Sequence, residues 1–291
     1  MAGILFMPQD FDENKQYKTL VISAPAGAVK EQSPSLYAEK ISKKGYLALV
    51  FDTSHQGESE GEPRQLENPT ERVEDIRCAV DYLVTLPYVD EDKIGAFGIC
   101  SGGGYALHTS MVERRIKAAA GVSLTDPGSW IREGLDPANP MPPEAQIEML
   151  DGMSQLRTAE ARGAETTYVN FVPEEVTDDM PVVLKQANEY YRTPRGAHPN
   201  STNKVLAAGG ARLVTFDCFN FMDTLLTQPI LLIAGSKADT FYFSERVMDK
   251  AASDDKELFV IDEATHVDLY DIEEYVNQAI DKLAVFFDEK L

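Results

Sequence analysis

One stretch constrains this chain more than any other: Ile94-Gly95-Ala96-Phe97-Gly98-Ile99-Cys100-Ser101-Gly102-Gly103-Gly104-Tyr105-Ala106. A short apolar run passes through a glycine-rich turn into a helical pattern. Within it, Gly98-x-Cys100-x-Gly102 has the small-x-nucleophile-x-small spacing of a strand-turn-helix elbow. The central residue of such a turn is held in a strained conformation, and close backbone approach requires small neighbours two places either side. Cys100 has glycine at both places. Ser101 would have Ile99 and Gly103, and a branched side chain at the first would crowd the turn, so Cys100 is the preferred elbow residue. Free cysteines are often plain buried hydrophobes, but a packing cysteine has no need of so many adjacent glycines. At the head of a helix its thiol gains thiolate character. The N–H of Ser101 then faces the same space and can stabilise an oxyanion.

The segments around the elbow alternate. Gly3–Met7, Thr19–Ala24, Tyr46–Phe51, Ile116–Ser123, Pro229–Ala234 and Lys256–Ile261 are short, nearly continuous apolar runs, as expected of strands covered on both faces. Between them lie helix patterns. Pro34–Lys44 follows Ser33 as a candidate N-cap, and Asn68-Pro69-Thr70-Glu71 combines a cap, a proline at the first helical position and a glutamate. Val73, Ile76, Val80 and Leu83 then recur as one stripe, and Ile272, Val276, Ile280, Leu283 and Phe286 make another near the C-terminus. This order specifies an α/β fold: a mainly parallel sheet with helices on both faces. Residues 126–228 break the rhythm, with helix patterns near 143–162 and 179–191 but few buried runs. They are expected to form a helical cap or lid inserted between two parts of one core, 1–125 and 229–291.

Three loops at strand ends carry chemistry-bearing residues in the order nucleophile, acid, base: Cys100, Asp239 and His266. That is the chain order of the α/β-hydrolase triad. His266 follows a late strand and is the candidate base. Asp239 follows the strand before it and is the candidate orienting acid, with Asp126 as the alternative. The small-residue loop Pro25-Ala26-Gly27-Ala28 follows the second run, so the N–H of Ala26 or Gly27 is the candidate second oxyanion donor beside Ser101. His55, Trp130, Tyr191, Arg195 and His198 are candidate substrate contacts, each with a structural role as the competing reading.

Composition narrows the partners. A net charge of −21 argues against nucleic acid or an anionic membrane surface. Three cysteines without pairing or metal-ligand spacing suit a reducing cytosol, and neither a signal peptide nor a membrane span is expected. No phosphate loop, dinucleotide fingerprint or metal cluster is apparent, so no cofactor and no metal are expected. The expected partner is a small-molecule acyl substrate, with a homodimer left open.

The chain resembles bacterial α/β-hydrolases of the dienelactone-hydrolase-like superfamily, near the subgroup of YcjY-type hydrolases and fungal polyketide-transferase proteins. The resemblance is carried by FDTSHQGES (51–59), RVEDIRCAVDYL (72–83), GICSGGGYA (98–106), YYRTPRGAHPNS (190–201), LLIAGSKADT (231–240) and ATHVDLYD (264–271). It implies a Cys-Asp-His triad at Cys100, Asp239 and His266, acting on an ester, thioester or lactone through a covalent acyl-enzyme. Acyl transfer on the same residues and non-catalytic small-molecule binding are the rival readings. The subgroup often carries serine where Gly102 stands, so any role of that side chain is absent here.

Overall fold

The structure is a computed structural model and describes residues 1–291. Nine strands form: β1 (Gly3–Phe6), β2 (Tyr17–Ser23), β3 (Leu47–Phe51), β4 (Val89–Ile99), β5 (Ile116–Val122), β6 (Tyr168–Asn170), β7 (Lys204–Leu206), β8 (Ile230–Gly235) and β9 (Lys256–Ile261). Seven of them make one sheet in the order β1-β3-β2-β4-β5-β8-β9. Every neighbouring pair in it is parallel except β1 with β3, where β1 closes the edge antiparallel.

The apolar runs are continuous because both faces of the sheet are covered, and successive side chains go to opposite faces. In β2, Leu20 and Ile22 join one core, whereas Val21 joins another. In β3, Ala48 and Val50 go one way and Leu47, Leu49 and Phe51 the other. Helices α1 (Ser33–Ser42) and α11 (Glu273–Lys290) cover the first face through Tyr37 and Ile41 and through Val276, Ile280 and Leu283. On the second face lie α2 (Pro69–Leu83) and α3 (Ser101–Val112).

The cap of α2 is as expected: Asn68 is extended and its side chain accepts from Thr70 N–H at 3.3 Å. Ser33 is already inside α1, so the expected cap there is one residue out. Ile272 lies just outside α11 and stays 37% exposed, while the rest of its stripe is buried.

Between β5 and β8 the chain forms α4 (Pro127–Glu133), α5 (Pro143–Ala161), α6 (Val182–Arg192), α7 (Gly210–Val214) and α8 (Met222–Leu225), with the antiparallel pair β6–β7. Helix α6 starts after Pro181, three residues later than the pattern suggested, because proline at the flank sets its entry. The short pair β6–β7 is not visible in the sequence pattern. Beyond β8 come α9 (Phe241–Lys250) and α10 (Asp268–Asp271). No helix is long and apolar enough to cross a membrane.

A buried ion pair ties the loop after β2 to the end of β3. Lys30 N–H donates to Asp52 Oδ1 at 2.8 Å, and its ammonium contacts Asp52, Glu31 and Glu58 at 2.8, 2.7 and 2.7 Å. Burial alone would lower the Lys30 pKa, but these carboxylates outweigh it and hold the group charged. The three carboxylates converge as metal ligands would, and the ammonium sits in their midst. The Asp52 side chain is 0% exposed, so Lys30→Met would leave its charge buried and unpaired. We expect that variant to lose about 3 kcal/mol or more of unfolding free energy, measured by urea denaturation.

Candidate active site

Strand β4 ends at Ile99 and α3 begins at Ser101, so Cys100 alone makes the turn between them, at φ +56° and ψ −129°. This is left-handed backbone that a residue with a β-carbon rarely adopts. Neighbouring backbone groups hold it there. Cys100 N–H donates to Val122 O at 2.9 Å, and Cys100 O accepts from Gly103 and Thr125 N–H at 2.9 and 3.1 Å. The glycines are needed for contact. A β-carbon on Gly98 would lie 2.1 Å from the Gly102 carbonyl, and one on Gly102 would lie 2.2 Å from Ser23 O. A serine at position 102 therefore has no room on this backbone.

Cys100 is 8% exposed and lines a mostly apolar cavity. Its Sγ lies 3.5 Å from Thr125 Oγ1 and 3.9 Å from Ser101 Oγ. Burial pushes the thiol pKa up. The charge of His266 and the polar groups of His266, Tyr270 and Thr125 act against this, and the balance falls to about 6. The other two thiols are pushed the opposite way, Cys78 by burial and nearby carboxylates, Cys218 by burial and Asp126.

His266 lies in the loop after β9 and lines the same cavity, 1% exposed. Ser123, just beyond β5, donates its hydroxyl to His266 O at 3.0 Å and anchors the loop. The ring is held at both nitrogens. Nδ1 pairs with Thr240 Oγ1 at 2.6 Å, and Nε2 with Tyr270 Oη at 3.2 Å.

The carboxylate expected to hold this imidazole is engaged elsewhere. Asp239 Oδ2 accepts from Val183 N–H at 3.0 Å and so caps the first turn of α6. No carboxylate oxygen lies within 4.0 Å of either His266 nitrogen, and the neighbouring Thr240 takes the contact instead. Asp239 and Thr240 are adjacent in sequence, but consecutive side chains in a loop point different ways. The alternative acid, Asp126, caps α4 through Ser129 N–H at 2.7 Å and accepts from Cys218 N–H at 3.0 Å.

The oxyanion candidates are free to act. Ala26 and Gly27 line the cavity, and neither N–H finds an acceptor in the protein. Ser101 is the first residue of α3 and has no intrahelical carbonyl to donate to. A residue not singled out in the sequence supports this loop. Arg72, buried on α2, donates Nη2–H to Ala24 O at 2.6 Å, and its guanidinium stacks over Tyr105 at 4.9 Å. An arginine on the inward side of an amphipathic helix was the available signal.

The other candidates divide. Trp130 and Tyr191 line the cavity, with Met153, Phe171, Val183 and Leu184 also from the stretch between β5 and β8. His55, Arg195 and His198 do not line it. His55 pairs with Pro63 O at 3.0 Å inside its own loop and with Glu71 on α2 at 2.7 Å. Arg195 makes a two-point bond to Asp271, at 2.7 and 2.8 Å, and fastens α6's downstream loop to α10. His198 Nδ1 accepts from Asn200 N–H at 3.3 Å in a turn. Polar residue type at a loop is too weak a signal to separate a turn or an anchor from a contact.

With this geometry, comparison with known proteins decides the family. The uncharacterized protein YcjY of Escherichia coli K12 is 40% identical over all of this chain and 94% of its own length. Residues 1–126 match the dienelactone hydrolase family. The chain belongs to that family. A crystal structure of the hypothetical protein PA2218 of Pseudomonas aeruginosa superposes with a TM-score of 0.92 at 33% identity, covering 99% of this chain and 89% of that one. The polyketide transferase claH of Penicillium crustosum is 29% identical over 80% of this chain and 75% of its own. Fungal thiohydrolases and an acyltransferase are also among the relatives of this family member. The fold is that of the α/β-hydrolases.

The thiol's low pKa sets a measurable expectation. Iodoacetamide should alkylate Cys100 faster than Cys78 or Cys218 at pH 7, with a rate that climbs through about pH 6 as the thiolate forms. Thr240→Val removes the partner of Nδ1, destabilises the imidazolium and should move that midpoint to higher pH. The same alkylation profile checks both.

Proposed function

We propose that this family member is an acyl hydrolase with a cysteine nucleophile, cleaving esters, thioesters or lactones through an acyl-enzyme at Cys100. One observation carries the reading. The strained turn presents a thiol of lowered pKa to a mostly apolar cavity that also contains His266 and the unpartnered N–H groups of Ala26 and Gly27.

The chemistry follows from these positions. The Cys100 thiolate, its proton on His266, adds to the substrate carbonyl. The N–H groups of Ser101 and of Ala26 or Gly27 receive the oxyanion, each worth about 3 kcal/mol of barrier. Collapse expels the leaving group, which takes the proton from His266 Nε2. Water then gives a proton to the imidazole as it attacks the thioester, and the thiolate is released. Thr240 keeps Nδ1 occupied so that Nε2 does the transfer. Asp239 is the acid of the proposed triad only in a state in which it leaves Val183 N–H. The residues between β5 and β8 act as a cap that supplies the apolar wall for an acyl chain.

Acyl transfer to another acceptor is a second reading, supported by the relatives named as transferases and by walls that disfavour water. A panel of acyl esters, thioesters and lactones tests the main one by mass spectrometry of the intact protein. The wild type should show an adduct on Cys100, Cys100→Ala none, and Ser101→Ala an adduct with activity within about threefold. An unmodified wild type across the panel refutes the acyl-enzyme. Product that forms only when an alcohol or amine is added decides for transfer.

A further inference from the structure

Tyr191 carries a hydroxyl that the fold does not use. The residue is 5% exposed, and its Oη is buried without a hydrogen-bond partner. A buried hydroxyl left unpaired is destabilising, and native proteins rarely keep one without a use. Tyr191 lines the cavity onto which Cys100 opens, together with Tyr270. Its ring is fixed, edge to face against Tyr190 at 4.8 Å and against Tyr270 at 6.3 Å between centroids. The hydroxyl is therefore held at one place in the wall, ready for a partner that arrives with the substrate. Burial, and the charge of Cys100 beyond it, keep both Tyr191 and Tyr270 protonated, so each is a donor.

Sheet order says which part of the substrate this donor meets. Strand β2 lies on one side of β4, and β5, β8 and β9 lie on the other. The oxyanion donors Ala26 and Gly27 follow β2, whereas His266 follows β9. Tyr270 Oη is 3.2 Å from His266 Nε2, and Tyr191 packs on Tyr270. Tyr191 thus stands on the imidazole's side of the thiol through its contact with Tyr270. On that side the leaving group departs and its replacement enters, because His266 must give a proton to one and take a proton from the other.

We propose that the Tyr191 hydroxyl donates a hydrogen bond to the heteroatom that leaves the acyl group, and to the oxygen that replaces it, so that Tyr191 favours oxygen esters over thioesters. The assignment rests on the acyl-enzyme reading above. In the first half-reaction the Sγ–C bond forms and the C–O bond to the leaving group breaks. The electron pair goes to the departing oxygen, and Nε2 supplies its proton to give an alcohol. In the second, a water proton passes to Nε2 while a new C–O bond forms, and the C–S bond breaks with its electron pair returning to Sγ. Tyr191 keeps its own proton throughout. Sulfur is a weak hydrogen-bond acceptor and oxygen a strong one, so the donor discriminates between the two leaving groups.

Tyr191→Phe tests this with two probes that share an acyl group, ethyl hexanoate and S-ethyl hexanethioate. Rapid-quench mass spectrometry measures acylation of Cys100 by each. The expected result is about a tenfold loss with the oxygen ester and less than a twofold loss with the thioester. The melting temperature should stay level or rise, since no internal hydrogen bond is removed. The pH midpoint of Cys100 alkylation should not move. Equal losses on both probes, no loss on either, or a lower melting temperature overturns the assignment. If the wild type forms no adduct with either probe, the acyl-enzyme reading itself fails and takes this one with it. An adduct in the wild type with equal losses in the variant removes only the role of Tyr191.

Discussion

At Cys100 the backbone is bent into a conformation that most side-chain-bearing residues avoid, and the rest of the site depends on that bend. It is sustained by three backbone hydrogen bonds, to Val122, Gly103 and Thr125. It is permitted by glycines at 98 and 102, whose missing β-carbons let β4, α3 and the end of β2 meet at contact distance. Relaxing the turn would return the thiol towards the strand direction and out of reach of the cavity. It would also rotate the Ser101 N–H away from the same space. The strain is stored at the one position where chemistry is proposed, and the parallel strands on either side carry its cost.

Electrostatics then sets the state of the sulfur. Burial by itself would leave a neutral, inert thiol, as it does at Cys218. The imidazole of His266 and the hydroxyls of Tyr270 and Thr125 outweigh burial at Cys100 and bring its pKa to about 6. These partners come from three places in the chain, after β5, after β9 and on α10. What brings them together is the common end of a parallel sheet. Arg72, Lys30 and Ser123 do not touch the cavity chemistry directly. They hold the loops that do, each through a buried polar contact to a backbone carbonyl or a carboxylate.

The parallel core was legible because its signals are local and strong. Continuous apolar runs of about six residues, a capped helix start at Asn68 and stripes at helical spacing each have one stable outcome. The elbow was legible for the same reason: glycine at 98 and 102 is a steric requirement written into adjacent positions. What was not legible lies where side-chain direction in a loop decides. Asp239 and Thr240 follow the same strand, yet the threonine reaches the imidazole and the aspartate caps α6. His55, Arg195 and His198 are polar residues in polar loops, and only their final neighbours show that they bond to Glu71, Asp271 and a local turn. Arg72 was overlooked because its importance lies in a carbonyl 48 residues away.

From the sequence alone came the kind of fold, the residue at the turn and the order of the strand-end loops, because hydrophobic periodicity and glycine sterics act between near neighbours. Which carboxylate or hydroxyl holds His266, which aromatic residues face the thiol and which hydroxyl stays unpaired were decided only by the tertiary structure. Those contacts join residues from separate loops, and their distances are set by how the stretch between β5 and β8 packs over the sheet edge. No local pattern encodes that packing, since its helices are short or largely exposed and its apolar residues are divided between the core and the cavity wall.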